Sequence, residues 1–331
     1  MNDTNALSAV IPNHIDYRNF LARYATLITL LALVLFNIAF TKHFVSLQTL
    51  YVNLTQVATI VIVGVGMTLV IAAGGIDLSV GSLMAISGAI APLIFLGTAV
   101  HIGEIHLAVA VGMIVAVLAA GAFGWFNGWL ITRFRIQPII ATLVLFIAGR
   151  GIAQVSTNGN LQPFKLAQFQ WIGLGRWFGV PVQAVIMLVL VALAAWGLRR
   201  SLFGRQILAI GGNEKAARLA GVPVATVKRL VYCISGLCSG VAGLVVIAIN
   251  SSSDANLVGL GMELDAIAAV AVGGTLLSGG RATVTGTLIG ALIIQLVRYS
   301  LLANGISDDV AKLVKAALIV GAVWLQRSEK S

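Results

Sequence analysis

Long apolar runs, most of them near 20 residues, follow one another along this chain of 331 residues. A run of that length crosses the roughly 30 Å hydrocarbon core of a bilayer as an α-helix. Charged residues make up only 10% of the chain, too few to cover soluble domains of this length. We therefore predict an all-α integral membrane protein whose single transmembrane domain covers residues 24–326. The ten predicted spans are 24–41, 48–73, 79–100, 105–131, 138–155, 181–198, 230–250, 265–278, 283–303 and 311–326.

The distribution of lysine and arginine predicts which span ends face the cytoplasm, because cytoplasmic loops retain positive charge. With the N-terminus inside, ten crossings place most of the 21 basic residues on the cytoplasmic side. Residues 1–23 and 327–331 are then cytoplasmic tails, and 199–229 is the longest cytoplasmic loop. The net charge of +10 lies in connectors between spans and not on one basic face, so we expect no nucleic-acid binding.

Two glycine-rich segments interrupt the apolar pattern at span junctions. The first reads Gly-Gly-Ile-Asp-Leu-Ser-Val-Gly-Ser over 74–82, and the second reads Gly-Gly-Thr-Leu-Leu-Ser-Gly-Gly-Arg over 273–281. Aligning Gly74 with Gly273 matches five of the nine positions, which indicates either a degenerate repeat or a chance similarity of glycine-rich sequence. If the segments are a repeat, both breaks lie on one side of the membrane near a common pore axis.

Asp77 lies in the first of these segments, and it is the one charged residue between Lys42 and Glu104. A carboxylate in apolar surroundings is costly unless it reaches water, a cation or backbone donors. Two interpretations remain open. Asp77 or Ser79 caps the third span in a cytoplasmic turn, or the segment is a helix break that lines a translocation route.

Within the long cytoplasmic loop, residues 209–222 have the pattern of a short capped helix. Asn213 is placed to cap its N-terminus, Glu214 stands four residues before Arg218, and Gly221 is placed to end it. A helix this short is not stable alone in water, so we expect it to dock on the protein's own helices or on a partner. A basic surface resting on anionic lipid is the alternative.

The sequence offers little catalytic chemistry. It contains no Gly-x-x-x-x-Gly-Lys-Ser/Thr phosphate loop, so we expect no nucleotide hydrolysis by this chain. The four histidines lack metal-ligand spacing, and no serine lies in a nucleophile elbow. These features predict a transport protein with no metal site and no cofactor of its own, and they disfavour a membrane enzyme.

Three motifs together resemble a known family. The segments at 74–82, 209–222 and 263–280, in this order, are similar to the permease subunits of bacterial ABC importers for ribose, xylose, galactofuranose and other simple sugars. The resemblance extends over nearly the whole chain. It implies a type II ABC importer-like permease in the bacterial inner membrane, which passes a monosaccharide inward by alternating access.

The resemblance also implies the partners of this chain. They are a cytoplasmic ABC ATPase that binds ATP and Mg²⁺, a periplasmic sugar-binding protein that selects the sugar, and a second copy of this permease or a similar permease. An ion- or proton-coupled secondary transporter is the alternative, because glycine-broken helices are typical of that class as well.

Three groups of candidate residues follow from the resemblance and from the cost of polar groups in lipid. The ATPase-coupling group is Gly212, Asn213, Glu214, Lys215, Ala217, Arg218 and Gly221. The candidates for helix breaks and the translocation path are Gly74, Gly75, Asp77, Ser79, Gly273, Gly274, Ser278, Asn53, Gln56, Thr68, Asn127 and Gln154. The candidates for periplasmic docking or an outer gate are Lys165, Arg176, Asp254, Glu263 and Asp265. Hydrogen bonding between helices is the alternative for the polar path residues.

Overall fold

The computed structural model describes the backbone of residues 17–328 and the side chains of residues 24–318, 320 and 321. Within these residues the fold is almost entirely helical, which confirms the predicted all-α class. Most of the two predicted tails, residues 1–16 and 329–331, lies outside the described residues. The helices are α1 (Tyr17–Phe40), α2 (Leu47–Ala72), α3 (Val80–Phe95), α4 (Ile105–Phe134), α5 (Pro138–Ser156), α6 (Ala167–Leu174), α7 (Val182–Arg200), α8 (Leu202–Gly212), α9 (Glu214–Leu219), α10 (Val224–Asn250), α11 (Met262–Val272), α12 (Val284–Ala303) and α13 (Asp308–Ser328).

Four strands of two residues form two small antiparallel pairs in the loops. β1 (Gln162–Pro163) pairs with β4 (Ser252–Ser253), and β2 (Arg176–Trp177) pairs with β3 (Val180–Pro181). The first pair joins the loop after α5 to the loop after α10. The second pair closes the turn between α6 and α7.

The predicted count of ten spans is not confirmed. Within the described residues, six helices are long and apolar enough to cross a membrane, namely α2, α4, α5, α7, α10 and α12. The apolar part of α1 (Tyr24–Phe40) is shorter, and α3 has only 16 residues. Helix α11 has 11 residues, which at 1.5 Å per residue covers about half of a hydrocarbon core. Helix α13 carries Asp308, Asp309, Lys312 and Lys315 in its first turns.

The central helix is α10, which packs against α2, α3 and α4. A Cβ on Gly236 of α10 would overlap the carbonyl oxygen of Ala120 on α4. A Cβ on Gly124 of α4 would likewise overlap the carbonyl oxygen of Tyr232 on α10. The backbones of these two long helices therefore approach closely, as small residues allow in membrane proteins.

Helices α2 and α11 end in the same way. Gly74 (φ +79°) follows α2, and the N–H groups of Gly74 and Gly75 donate to the carbonyls of Ile71 and Val70 at 2.9 and 3.0 Å. Gly274 (φ +80°) follows α11 with the equivalent pair of hydrogen bonds. Glycine adopts this left-handed conformation without a steric penalty, so each glycine ends its helix.

Candidate functional site

The predicted short helix is present as α9, directly after α8. The Asn213 side chain accepts a hydrogen bond from the Ala216 N–H at 3.0 Å and so caps the N-terminus of α9. Glu214 pairs with Arg218 at 3.0 Å, and Gly221 (φ +83°) follows the helix. The interpretation of this segment as a capped helix is confirmed.

Glu214 also joins α9 to α10. Lys228 Nζ, on α10, donates to Glu214 Oε2 at 2.6 Å, and the Lys228 side chain is mostly buried. The hydrogen bond from Lys228, together with its charge, lowers the pKa of Glu214, so the carboxylate stays ionised at neutral pH. Glu214 is therefore engaged within the protein, and its ion pair joins α9 directly to α10.

Helix α9 also presents Lys215, Arg218 and Leu219 to solvent. Leu219 is 91% exposed, whereas Ala217 is buried against the protein. An apolar side chain next to two basic ones gives this surface the mixed chemistry of a protein contact. Sequence analysis missed Leu219, because leucine is common in this chain and no pattern distinguishes this one.

The two glycine breaks meet each other and the end of α8. The Gly280 N–H donates to the Ala72 carbonyl at 3.0 Å. A Cβ on Gly279 would lie 3.0 Å from both Gly74 Cα and Gly211 O, and a Cβ on Gly211 would overlap the Ala72 carbonyl. We name these five residues the glycine junction. The two breaks thus lie close together, and their position near a common pore axis stays a prediction.

One detail of the predicted repeat is wrong. The glycine that adopts the left-handed conformation after α11 is Gly274, so Gly74 corresponds to Gly274 and not to Gly273. The connecting segments also differ in length, since residues 73–79 precede α3 whereas residues 273–283 precede α12. The two breaks therefore share a helix ending but not the conformation that follows it.

Asp77 is fully buried where the segment between α2 and α3 packs on α4 and α10. Its Oδ1 accepts hydrogen bonds from the Ser79 N–H and hydroxyl at 3.0 and 2.6 Å, and its Oδ2 accepts one from Ser235 of α10 at 2.8 Å. Asn127 of α4 donates to Ser79 Oγ at 2.9 Å. These donors compensate the burial of the carboxylate. The N-cap residue of α3 is Ser79, which makes no side-chain capping hydrogen bond, so the carboxylate stabilises the turn before α3 and does not cap the helix itself.

The predicted path residues on α2 contact α12. Gln295 Nε2 donates to Gln56 Oε1 at 2.6 Å and to Asn53 Oδ1 at 3.4 Å, and the hydroxyls of Thr68 and Thr287 lie 2.7 Å apart. Sequence analysis missed Gln295. It is the only amide side chain in α12, and the desolvation cost that singles out Asn53 and Gln56 applies to it equally.

The remaining path candidates lie apart from these groups. Gln154 of α5 donates to Asn256 Oδ1 at 2.7 Å, and Ser278 is exposed in the segment after α11. Asp254 accepts a hydrogen bond from the Asn256 N–H at 2.8 Å. Gln154 of α5 therefore contacts the loop after β4, and Asp254 lies in that loop. The path candidates therefore form separate groups and not one continuous lining.

The two acidic side chains of α11 are engaged within the protein. Glu263 is 7% exposed and lies against α3, where a Cβ on Gly81 would be 2.6 Å from Glu263 Oε2. Asp265 pairs with Lys315 of α13. Arg150 of α5 donates to two carbonyls of the loop before α11 at 2.6 and 2.9 Å. Glu263 is thus buried in this structure, and its part in periplasmic docking or in an outer gate stays a prediction.

Similar proteins identify the family. The family described as "Branched-chain amino acid transport system / permease component" matches residues 50–323 of this chain. This chain belongs to that permease family. The permease is 41% identical to the ribose import permease protein RbsC of Escherichia coli strain K12 over 318 residues, which are 94% of this chain and 95% of the relative.

Two further relatives support this assignment. The galactofuranose transporter permease protein YtfT of Escherichia coli strain K12 is 39% identical over 275 residues, 82% of the permease and 78% of the relative. The ribose import permease protein RbsC of Bacillus subtilis strain 168 is 39% identical over 281 residues, 84% of each chain. No solved structure is significantly similar to the permease. The protein is thus a multi-pass transport component and not an enzyme, and the predicted family resemblance is confirmed.

Proposed function

We propose that this permease forms the pore of an ABC importer that passes a monosaccharide into the cytoplasm by alternating access. The strongest support is its 41% identity with a ribose import permease over 94% of the chain. The relative YtfT is named for galactofuranose, which is also a monosaccharide. Although the family description mentions branched-chain amino acids, these relatives favour a sugar as substrate. They do not favour a secondary transporter.

Three partners complete the proposed importer. A cytoplasmic ATPase binds ATP and Mg²⁺, a periplasmic binding protein selects the sugar, and a second copy of the permease or a similar permease completes the pore. The transmembrane domain 24–326 lies in the bacterial inner membrane, with the tails 1–23 and 327–331 and the loop 199–229 in the cytoplasm. The basic residues of that loop support this orientation.

We assign ATPase docking to α9. Lys215, Arg218 and the exposed Leu219 form the contact surface, while the Glu214–Lys228 ion pair transmits force to α10. The neighbouring end of α8 contacts the ends of α2 and α11 through the glycine junction. A displacement of the segment α8–α9 would therefore act on α2, α10 and α11 together. The residues that shape and seat α9 are Gly212, Asn213, Ala217 and Gly221.

At the opposite end of the permease, other candidates serve delivery and gating. Lys165 is exposed, and the Arg176 guanidinium lies 4.2 Å from the centre of the Tyr51 ring. Together with Asp254, these two basic residues are the proposed docking contacts for the binding protein. Asp265, with the buried Glu263, is the proposed outer gate. In alternating access, movement of the C-terminal end of α11 at the glycine junction would be transmitted along this short helix to Glu263 and Asp265.

Leu219→Asp is expected to lower recovery of the ATPase with the permease by about tenfold or more. A loss of about 1.4 kcal/mol of binding free energy is enough, because it raises the dissociation constant tenfold. A carboxylate is poorly accommodated in an apolar contact. Because Leu219 is almost fully exposed, the stability of the permease itself should change by less than about 0.5 kcal/mol. The measurement is the amount of ATPase that co-purifies with tagged permease from membranes that contain both proteins.

Phe178→Asp is the matched control for this experiment. Phe178 is 94% exposed in the turn between β2 and β3, which the proposed orientation places outside the cytoplasm. The Phe178→Asp variant should leave ATPase recovery unchanged. Full recovery with Leu219→Asp, or an equal loss with both variants, would show that α9 is not the docking helix.

A further inference from the structure

Two opposite charges lie close together but unpaired where α3, α5 and the start of α11 meet. Arg150 of α5 is half-buried, and Glu263 of α11 is only 7% exposed. Both side chains contact one residue of α3. The Gly81 carbonyl oxygen lies 3.5 Å from Arg150 Nη2, and a Cβ on Gly81 would lie 2.6 Å from Glu263 Oε2. The guanidinium and the carboxylate are therefore neighbours through a single glycine.

The two side chains nevertheless have no direct contact. None of the ion pairs in the described part of the chain joins them, and Glu263 Oε2 is buried without a hydrogen-bond partner among the described residues. Arg150 Nη1 donates instead to the carbonyl oxygens of Ala255 and Val258, at 2.9 and 2.6 Å. A buried carboxylate oxygen without a donor costs free energy, and a direct ion pair with the guanidinium would remove that cost.

The electrostatics match these two residues to each other. Two carboxylates attract Arg150, and Glu263 acts on it more strongly than Asp254 does. Arg150 is in turn the cation that attracts Glu263. Asp254 is already engaged in its own loop, because its Oδ1 accepts from the N–H and the side-chain amide of Asn256 at 2.8 and 3.0 Å. The carboxylate available to Arg150 is therefore that of Glu263.

The loop that Arg150 holds leads directly into α11. It consists of residues 254–261, in which Gly259 (φ +72°) and Gly261 (φ +76°) have the left-handed conformation that glycine adopts without a penalty. At the other end of α11, the segment that follows this helix contributes to the glycine junction. Because Glu263 lies in the first turn of α11, a displacement of this helix would move its carboxylate relative to Arg150.

We propose that Arg150 is a gating residue that exchanges its partners during transport. In the present structure it holds the loop before α11 through two backbone carbonyls. In the opposite state of the cycle it releases these carbonyls and forms an ion pair with Glu263. The inference rests on the proposed function, because it assigns the two sets of partners to the two states of alternating access. Each state satisfies one set of contacts and leaves the other unmade, so a modest input of free energy switches between them.

Double electron-electron resonance on the complete importer in lipid nanodiscs tests this exchange. Val155→Cys and Leu257→Cys carry the spin labels, in a chain whose Cys233 and Cys238 are replaced by serine. Val155 of α5 is 77% exposed and Leu257 of the loop is 66% exposed, so the labels report the separation of the loop from α5 without entering the core. The labelled permease should give one distance at rest and a second distance while the ATPase hydrolyses ATP.

Glu263→Gln keeps the shape of the side chain but cannot form the ion pair, so the fraction of the second distance should fall severalfold. Ser253→Ala is the matched control. The Ser253 hydroxyl is another fully buried and unpartnered oxygen, next to the same loop, but it carries no charge, so this variant should keep both distances. A second distance unchanged by Glu263→Gln, or reduced equally by Ser253→Ala, would overturn the exchange.

The inference and the proposed function fail in different ways. A single distance in the labelled permease under all conditions would overturn the exchange of partners. The proposed function would stand in that case if the same sample takes up a monosaccharide with ATP, and it would fail if no monosaccharide is taken up.

Thermal unfolding of the permease alone, in detergent, gives a second test. Arg150→Gln should lower the midpoint by roughly 3 °C or more, since two hydrogen bonds from a charged donor are lost. Glu263→Gln should leave the midpoint unchanged or raise it, because Oε2 has no partner to lose in this conformation. An equal decrease in both variants would show that the two residues already act together here, which would contradict the exchange.

Discussion

Gly211→Ala is expected to abolish sugar uptake and to lower the yield of folded permease. The added Cβ would overlap the Ala72 carbonyl oxygen and lie 2.5 Å from the Gly280 nitrogen. Both neighbours are backbone atoms, so relief requires a shift of the α2 end or of the segment after α11. Overpacking of this kind costs about 1–3 kcal/mol or more. It also separates the segments through which, under the proposed function, α8 and α9 act on the membrane helices.

Gly197→Ala is the control for this substitution. Gly197 lies near the end of α7, and no described atom outside its own helix lies within 4 Å of the position of an added Cβ. Alanine is favoured over glycine inside a helix by roughly 0.5–1 kcal/mol, so this variant should transport normally. Sugar uptake and size-exclusion profiles after heating measure both effects. Normal uptake by Gly211→Ala would contradict a role of the glycine junction in coupling.

Asp77→Ala is expected to lower the midpoint of thermal unfolding in detergent by at least about 5 °C. The substitution leaves the Ser79 N–H, the Ser79 hydroxyl and the Ser235 hydroxyl without their acceptor in a fully buried position. Each unpaired buried donor costs about 1–3 kcal/mol, and each kcal/mol shifts the midpoint of a chain of this size by roughly 2–4 °C.

Two further variants make the Asp77 result specific. Asp77→Asn keeps one acceptor oxygen and should be intermediate. Asp309→Ala removes a carboxylate that is 90% exposed, and it should change the midpoint little because exposed ion pairs contribute about 0–1 kcal/mol. A midpoint for Asp77→Ala equal to that of Asp309→Ala would rule out the hydrogen-bonded group as a determinant of stability.

Helix α9 could be predicted from the sequence because its determinants are local. The Asn213 cap, the Glu214–Arg218 pair and the glycine at 221 each act within about one helical turn. Its tie to α10 could not be predicted in the same way. Lys228 is 14 residues from Glu214, and its reach depends on how the chain folds back.

The breaks were predictable as positions but not in their register or contacts. Two adjacent glycines follow α11, and the letters alone do not show that Gly274 takes the left-handed conformation. The partners of Asp77 are equally non-local, since Ser235 is 158 residues away along the chain. The pattern of glycines therefore predicts where a helix ends, whereas the contacts made at that end depend on the packing of distant segments.

Hydropathy predicted neither the number of membrane spans nor the burial of Glu263. An apolar run does not reveal that α11 stops after 11 residues, because its hydropathy continues across the glycines. Glu263 is a candidate for periplasmic docking or an outer gate through the family resemblance, and its burial could not be predicted from the sequence. In the structure it is buried near Arg150, whose charge partly compensates the burial, and no spacing in the sequence brings these two residues together.

The most direct measurement is sugar uptake into proteoliposomes that contain the permease with or without its ATPase and binding protein. We expect accumulation only when both partners and ATP are present, because the sequence holds no phosphate loop and the proposed function assigns ATPase docking to α9. Accumulation by the permease alone, driven by a sodium or proton gradient, would contradict an ATPase-driven pore.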